Sequence, residues 1–199
     1  NLMNGINDEF ITKPLNNNNN SIFKVLYSGN LGLAQGLEVI IKAAELLVDY
    51  PIKFEFIGAG VKKESLIKLV KLKNLTNVKF KESMPRHELI KELSKATVCV
   101  VPLKDKKLFL NAIPSKIFEI MASNKPIILG IRGESEIIIR DNNCGIVVEP
   151  ENPEDYKNAI IAYYKDENLT RIHGKNGVNY VTNFMRKELL LSNFLNELK

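Results

Sequence analysis

The sequence has few of the residues from which metal sites and disulfide frameworks are built. Its 199 residues include two cysteines and two histidines. Cys99 and Cys144 lie far apart without C-x-x-C spacing, and His87 and His173 are isolated from them. This arrangement excludes a zinc pattern and a disulfide scaffold. It favours a reducing compartment, with Cys99 buried inside the apolar run that surrounds it.

Long apolar runs are missing as well. No stretch approaches the ~20 consecutive apolar residues that a membrane-spanning helix needs, and no signal-peptide pattern is visible. These absences predict a cytoplasmic protein. Peripheral contact with the inner face of the cell membrane stays open, because the net charge of +5 is compatible with an anionic surface.

Basic residues outnumber acidic ones, 28 to 23, without forming a basic run. The lysine-rich segment 62–73 alternates with apolar residues at helical spacing, which indicates a solvated helix face rather than a nucleic-acid surface. We therefore expect no nucleic-acid partner. Fractions of 45% hydrophobic and 26% charged residues are typical of a globular protein, and the length suits one large domain.

Three segments follow one another along the chain. Residues 1–22 contain an Asn-Gly turn signal and an asparagine tract at 16–20, a composition that cannot form a core. We predict a linker for 1–22, one domain for 23–182 and a C-terminal helix for 183–199. The chain begins with Asn1 rather than Met, from which we expect that an N-terminal part precedes it.

Short apolar strands alternate with amphipathic helices from residue 23 onward. Predicted strands cover residues 23–27, 52–57, 78–80, 97–101, 126–129 and 145–148. Predicted helices cover residues 37–48, 62–73, 85–95, 114–122, 135–140 and the chain from 153, with breaks near Asp166 and Asn183. This order predicts an α/β fold, a Rossmann-like parallel sheet with helices on both faces. Ligands of such sheets bind beyond the carboxyl ends of the strands.

Two glycine-containing loops leave neighbouring predicted strands. The first, Ser28–Gly36, runs from a strand into a helix, so that its N–H groups and the helix dipole can face an anion. The second is Gly58-Ala59-Gly60. Neither is a G-x-G-x-x-G fingerprint or a P-loop, and the second strand does not end in the acidic residue of an NAD site. Two such loops suit a shared nucleotide site, and tight turns of purely structural use are the alternative.

A third segment, residues 111–122, combines a helix start with charged side chains. Pro114 suits the first turn of a helix, and Ser115, Lys116 and Glu119 then lie within its first two turns. A lysine at a helix start suits phosphate oxygens, and a carboxylate one turn later can accept from both hydroxyls of a ribose. The alternative is a local ion pair between Lys116 and Glu119 on an exposed turn.

These segments together resemble glycosyltransferase family 4, in the carboxyl-terminal half of its GT-B fold. Residues 4–14 resemble the N-G-[IV]-D…F-x-P segment that joins the two domains of that family, and residues 114–127 resemble its P-x-K-x-x-E-x-M-A-x-G-K-P-[IV] signature. Residues 133–136 and 145–150 follow in the expected order. The patterns G-N-L-G-x-x-Q-G and P-S-K-x-x-E are similar to those of a branch involved in bacterial and archaeal surface-polysaccharide assembly.

The resemblance implies a nucleoside-diphosphate sugar as donor and neither a cofactor nor a divalent metal, and the chain has no D-x-D triplet. By resemblance, Glu119 holds the ribose hydroxyls, the loop of residues 29–36 lies against the diphosphate, and the backbone of residues 82–84 frames the base. Lys116 is the candidate for a second phosphate contact. The candidate donor-binding residues are Gly29, Asn30, Gly32, Gly60, Met84, Asn111, Ser115, Lys116 and Glu119. No catalytic residue is assigned in this half.

The chain departs from the family pattern at three places. Asn111 stands where many members have a glutamate, and Asn30 and Gln35 stand where many have an arginine and a lysine. Neutralisation of the diphosphate must then depend on main-chain N–H groups and on Lys116 or Arg132. The third departure is the absence of the family's acceptor-binding domain, which we expect to precede this chain.

The resemblance implies the donor-binding domain of a retaining glycosyltransferase that transfers a sugar to a glycan or lipid-linked acceptor. We expect the fragment to be inactive without its N-terminal partner, through which membrane contact would also occur. Two alternatives remain at this point: a non-catalytic nucleotide-sugar-binding subunit of a two-chain transferase, and a nucleotide-sugar epimerase of the same architecture. An epimerase needs acid and base groups for proton abstraction, for which His87 and His173 are poorly placed.

Overall fold

The computed structural model describes residues 22–186. Its strands are β1 (Phe23–Ser28), β2 (Ile52–Ile57), β3 (Val78–Lys81), β4 (Val98–Pro102), β5 (Ile127–Gly130) and β6 (Gly145–Val147). Its helices are α1 (Glu38–Glu45), α2 (Lys63–Leu72), α3 (Arg86–Lys95), α4 (Lys116–Ala122), α5 (Glu134–Asp141), α6 (Pro153–Lys165) and α7 (Glu167–Tyr180). The predicted linker 1–22 and C-terminal helix 183–199 lie almost wholly outside the described residues.

The six strands form one parallel sheet in the order β3-β2-β1-β4-β5-β6. This confirms the predicted α/β fold and its parallel sheet. The strands are short and apolar because both faces of the sheet are covered, and all five residues of β4 are buried. Among residues 22–186, no helix combines the length and apolar character that crossing a membrane would require.

The strand order places a topological switch point between β1 and β4. From β1 the chain moves outward through β2 to β3, and it then returns to the other side of β1 to begin β4. The loops that follow β1 and β4 therefore separate in opposite directions and leave a crevice at their carboxyl ends. In doubly wound sheets this crevice is where ligands bind.

Alternate residues of each strand enter two separate apolar cores. Val25 and Tyr27 of β1 face the core that α1 and α6 cover. Leu26 faces the other core, where it packs with residues of α3 and α4. Cys99 and Cys144 are both buried in this second core, as predicted for Cys99, and burial raises the pKa of each thiol to about 12. Both cysteines are therefore structural residues rather than nucleophiles.

The helices differ from the prediction in three details. Regular helix α4 begins at Lys116 rather than Pro114, because the first turn is closed by short-range bonds such as Ile117 N–H to the Pro114 carbonyl (3.0 Å). The 3₁₀ turn Lys107–Phe109 was not predicted. Near Asn183 the chain does not break but continues as a π-helical turn, Val181–Met185, whose two end residues are buried in the second core.

A buried hydrogen bond joins α6 to α7. The hydroxyl of Tyr163 lies 2.7 Å from Nδ1 of His173, and the His173 residue is only 5% exposed. Burial lowers the pKa of His173 because the imidazolium form would be poorly solvated.

This pKa shift predicts an acid-sensitive fold. The unfolded state binds a proton at residue 173 near pH 6.5, whereas the folded state resists it, so the free energy of unfolding should decrease as pH falls below about 6.5. The variant His173→Gln should flatten this part of a urea-unfolding profile measured from pH 5 to 8. The matched control is His87→Gln, on a side chain that is 69% exposed, which should keep the wild-type profile. An unchanged profile in His173→Gln would contradict the account.

Candidate functional site

The two glycine-containing loops pack directly on each other at the carboxyl edge of the sheet. The N–H of Gly29 donates to the Ile57 carbonyl (2.9 Å), and the N–H of Leu31 donates to the Ala59 carbonyl (2.8 Å). Lys62, at the start of α2, donates its N–H back to the Leu31 carbonyl (2.9 Å). The loops after β1 and β2 therefore form one continuous surface.

Glycine is required at two positions of this surface. Gly58 and Gly60 have φ angles of +149° and +152°, a conformation that L side chains rarely adopt. A Cβ at residue 58 would lie 1.9 Å from the carbonyl oxygen of Gly29, and one at residue 60 would lie 2.5 Å from the carbonyl oxygen of Leu31. Close loop-to-loop packing thus explains both glycines without a ligand.

The same packing uses several N–H groups that the sequence suggested for binding an anion. Those of Gly29 and Leu31 bond to the second loop, and that of Gly32 donates to Oε1 of Gln35 (3.1 Å). Within residues 22–186, the N–H groups of Asn30 and Leu33 make no hydrogen bond. The first loop can therefore present only some of its N–H groups to a ligand.

Lys116 links α4 to the end of β1 across the switch point. Its Nζ donates to the Ser28 carbonyl (2.8 Å) and to the Tyr27 hydroxyl (3.1 Å), and it lies 4.3 Å from the centre of the Tyr27 ring. Burial lowers the pKa of Lys116 to about 8, an effect that the nearby negative charge of Glu119 opposes. An ammonium has three donors, so one N–H remains for a ligand.

Gly29 leaves room for this ammonium. A Cβ at residue 29 would lie only 2.7 Å from Nζ of Lys116, and Gly29 has a φ of +126°. Tyr27 contacts both Lys116 and the first loop, because its hydroxyl also donates to the Asn30 carbonyl (2.6 Å). Tyr27 was not among the predicted site residues, because its position in an apolar strand indicates only a core residue.

Glu119 does not pair with Lys116, so the interpretation of this segment as a local ion pair is wrong. Its Oε1 instead lies 3.4 Å from Nη2 of Arg86, the first residue of α3. The Glu119 side chain is 24% exposed and that of Arg86 is 46% exposed. Arg86 was not predicted as a site residue either, because no sequence pattern indicates a contact between the start of one helix and a residue 33 positions later.

An open cleft of about 310 Å³ lies between these loops and α3. It is lined by Gly29, Asn30, Ile57, Gly58, Ala59, Ser83, Met84 and Leu89. Three of the predicted donor-binding residues thus share this cleft, namely Gly29, Asn30 and Met84. Lys116 stands beside its wall at Gly29, and Glu119 contacts the helix that forms the opposite wall. Gly32 and Gly60 shape the loops behind the lining.

Asn111 and Ser115 do not line the cleft. Both are exposed in the connection from β4 to α4. The neighbours of Asn111 bond to the start of α5: the N–H of Glu134 donates to the Leu110 carbonyl (2.9 Å), and the Ser135 hydroxyl donates to the Ala112 carbonyl. These bonds tie the segment that carries Asn111 to the start of α5, which follows the carboxyl end of β5.

Arg132, the other predicted cation, pairs with two carboxylates. Its guanidinium is paired with Glu149, and it also lies 3.8 Å from a carboxylate oxygen of Asp105. Lys116 contacts the end of β1 next to Gly29, and a phosphate contact for Arg132 stays a prediction. In the part of the chain that the structure describes, no group of three or more histidine, cysteine, aspartate and glutamate residues could hold a metal ion.

The family model for glycosyl transferases group 1 matches residues 8–180, most of the chain. The chain belongs to this family. Among curated relatives of this group 1 domain is WcaI of Escherichia coli K12, whose name is that of a colanic acid biosynthesis glycosyl transferase. The two are 29% identical over 178 residues, which are 88% of this chain and 42% of WcaI. The chain therefore spans less than half the length of this relative.

Solved glycosyl transferase structures share the fold of this group 1 domain. Sucrose-phosphate synthase from Thermosynechococcus elongatus superposes with a TM-score of 0.83 at 23% identity, over 99% of this chain and 52% of that one. TarM of S. aureus, solved with UDP, superposes with a TM-score of 0.74 at 24% identity, over 94% of this chain and 38% of that one. These likenesses confirm the GT-B type of fold.

The packing of the glycine loops predicts that Gly58 tolerates no side chain. Gly58→Ala should destabilise the domain by ~2–4 kcal/mol, from backbone strain together with overlap against Gly29. Gly32→Ala is the matched control, because its Cβ would meet only the ends of the Gln35 and Asn30 side chains, and it should cost ~1 kcal/mol or less. Urea unfolding measures both changes. Equal losses for the two variants would contradict the packing argument.

Proposed function

We propose that this group 1 domain is the donor-binding domain of a retaining glycosyltransferase. It would bind a nucleoside-diphosphate sugar, from which the complete enzyme transfers the sugar to a glycan or lipid-linked acceptor. The observation that carries the proposal is that α4 contacts both sides of the cleft, through Lys116 at the end of β1 next to Gly29 and through Glu119 at the start of α3.

Lys116 suits the diphosphate. Its ammonium is held by two protein acceptors and keeps one donor, beside a glycine that lets a phosphate oxygen approach. Charge develops on the leaving diphosphate during sugar transfer, and a fixed cation stabilises it without reorganisation. The unused N–H groups of Asn30 and Leu33 lie on the same loop and can supply further donors.

Glu119 and the cleft suit the nucleoside. A carboxylate has acceptor sites for both ribose hydroxyls. The carboxylate of Glu119 lies at the start of α3, which begins two residues after Met84. The cleft provides apolar walls from Ile57 and Leu89 and main-chain groups at Ser83 and Met84 that can frame a base. TarM is solved with UDP, and a uridine nucleotide is therefore the first probe for this site.

The remaining parts of the reaction require more than this domain. The relative WcaI is more than twice as long, and the donor would lie between this domain and an acceptor-binding half. We propose that this chain binds donor without transferring it, and turnover by the chain alone would contradict that. The relative's name, which refers to colanic acid biosynthesis, supports a role in polysaccharide biosynthesis. We propose that this takes place in the cytoplasm, with peripheral contact at the inner face of the cell membrane.

An epimerase is not favoured by the site. Proton abstraction needs a base within reach of the substrate, and His173 is buried against Tyr163 between α6 and α7. His87 lies on α3 with an exposed side chain and is absent from the cleft lining. The two-chain alternative shares the donor site proposed here and differs only in where the acceptor half is encoded.

Replacement of the ribose-binding carboxylate tests the proposal. Glu119→Ala should lose ~2–3 kcal/mol of nucleotide binding while the fold is retained, since charge-assisted hydrogen bonds to two hydroxyls are removed. Calorimetric titration with uridine, guanosine and adenosine diphosphates measures the change. Glu136→Ala is the matched control, because that carboxylate also pairs with an arginine and is similarly exposed at 28%. Unchanged affinity in Glu119→Ala would refute the ribose assignment.

The depressed pKa of Lys116 predicts a pH-dependent affinity. Above about pH 8 the empty domain loses the ammonium proton, whereas a bound diphosphate favours the charged form and raises the pKa. UDP affinity should therefore decrease as pH rises from 7.5 to 9.5, with proton uptake on binding. Titration in buffers of different ionisation enthalpy detects that uptake. Lys116→Met should bind weakly and lose both effects, and a pH dependence that survives in Lys116→Met would assign it to another group.

A further inference from the structure

Helix α3 forms one wall of the cleft. Of its ten residues, Leu93 is the one that is fully buried. Leu89 lines the cleft, and the residues before the helix, Ser83 and Met84, line it as well. Leu89 and Ile90 are partly buried against the same core as Leu93, so polar contacts add to core packing in setting the position of this wall.

Charged contacts hold α3 at both of its ends. Glu92 bonds to Lys81 (2.5 Å), and Lys81 also contacts the buried carboxylate of Glu55 in β2 (2.8 Å), which fixes the far end of the helix to the sheet. At the cleft end, Arg86 contacts Oε1 of Glu119. This second contact joins the wall of the cleft to the helix that carries the ribose-binding carboxylate.

We propose that Arg86 is a positioning residue that fixes the carboxylate of Glu119 for the ribose hydroxyls. This inference rests on the proposed function. Glutamate loses considerable rotamer freedom when a ligand fixes its side chain. Lys116, the cation three residues earlier, is directed to the Ser28 carbonyl and does not hold Glu119. Arg86 instead holds Oε1, which leaves Oε2 and the second lone pair of Oε1 to accept from a ligand.

The guanidinium suits this role for two further reasons. Arginine keeps its charge at all pH values of interest, so the contact does not depend on the titration that affects Lys116. Its planar group offers several donors, and it can keep one oxygen of Glu119 while the other receives a hydroxyl. A ligand without ribose hydroxyls does not bind more tightly when the carboxylate is oriented. Such a ligand therefore distinguishes a positioning role of Arg86 from a general effect on the cleft wall.

The test compares UDP with 2′,3′-dideoxy-UDP as ligands of the 199-residue chain, by calorimetry. Arg86→Met should weaken UDP about tenfold, the scale of the rotamer freedom that Arg86 removes from Glu119, and should leave dideoxy-UDP unchanged. Arg86→Lys should fall between Arg86→Met and wild type. Arg140→Met is the matched control, because it removes an arginine that pairs with a glutamate on α5, and it should change neither affinity. Thermal unfolding confirms that each variant is folded.

Three outcomes would overturn the inference: equal losses for both ligands, no loss for either, or tighter UDP binding in Arg86→Met, which would make Arg86 a competitor of the ribose. The variant Glu119→Gln distinguishes this failure from failure of the proposed function. If Glu119→Gln weakens UDP but not dideoxy-UDP while Arg86→Met does not, Arg86 has no positioning role and the ribose assignment stands. If Glu119→Gln changes the affinities for UDP and dideoxy-UDP by the same factor, the ribose assignment itself is refuted.

Discussion

The hydrogen bond from Lys116 to the Ser28 carbonyl is the contact on which the site depends. It connects the first residue of α4 to the last residue of β1, across the point where the sheet reverses its direction of winding. A partly desolvated ammonium is costly unless its donors are used, and Tyr27 and Ser28 satisfy two of them. The third donor is left at the crevice where doubly wound sheets bind ligands. The same interaction thus stabilises the fold and prepares the site.

The glycine loops and α3 complete the cleft by two different kinds of packing. The loops after β1 and β2 are locked together by main-chain hydrogen bonds and by contacts that exclude a Cβ, so that side of the cleft is rigid. The opposite side is helix α3, which packs on the second core through Leu89, Ile90 and Leu93 and forms ion pairs to Lys81 and Glu119. In the proposed function, the diphosphate would lie against the loops and the nucleoside against α3.

Much of the fold follows from the sequence because it depends on local patterns. The bounds of β2 are the predicted ones, and the alternation of apolar strands with amphipathic helices gave the parallel sheet. The glycine loops were placed together because parallel strands end at the same edge. Arg86 and Tyr27 could not be found in this way, since their partners are 33 and 89 residues distant. Asn111 was assigned from its motif position alone, and its role in donor binding stays a prediction.

We propose that Lys116, Glu119 and the two glycine loops bind one nucleoside diphosphate, and a crystal structure of the chain with UDP would show whether they do. We expect a phosphate oxygen within hydrogen-bonding distance of Lys116 Nζ, ribose hydroxyls on the carboxylate of Glu119, and the base between Gly58 and Met84. A nucleotide bound outside this cleft, or one in the cleft with its ribose facing away from Glu119, would contradict it.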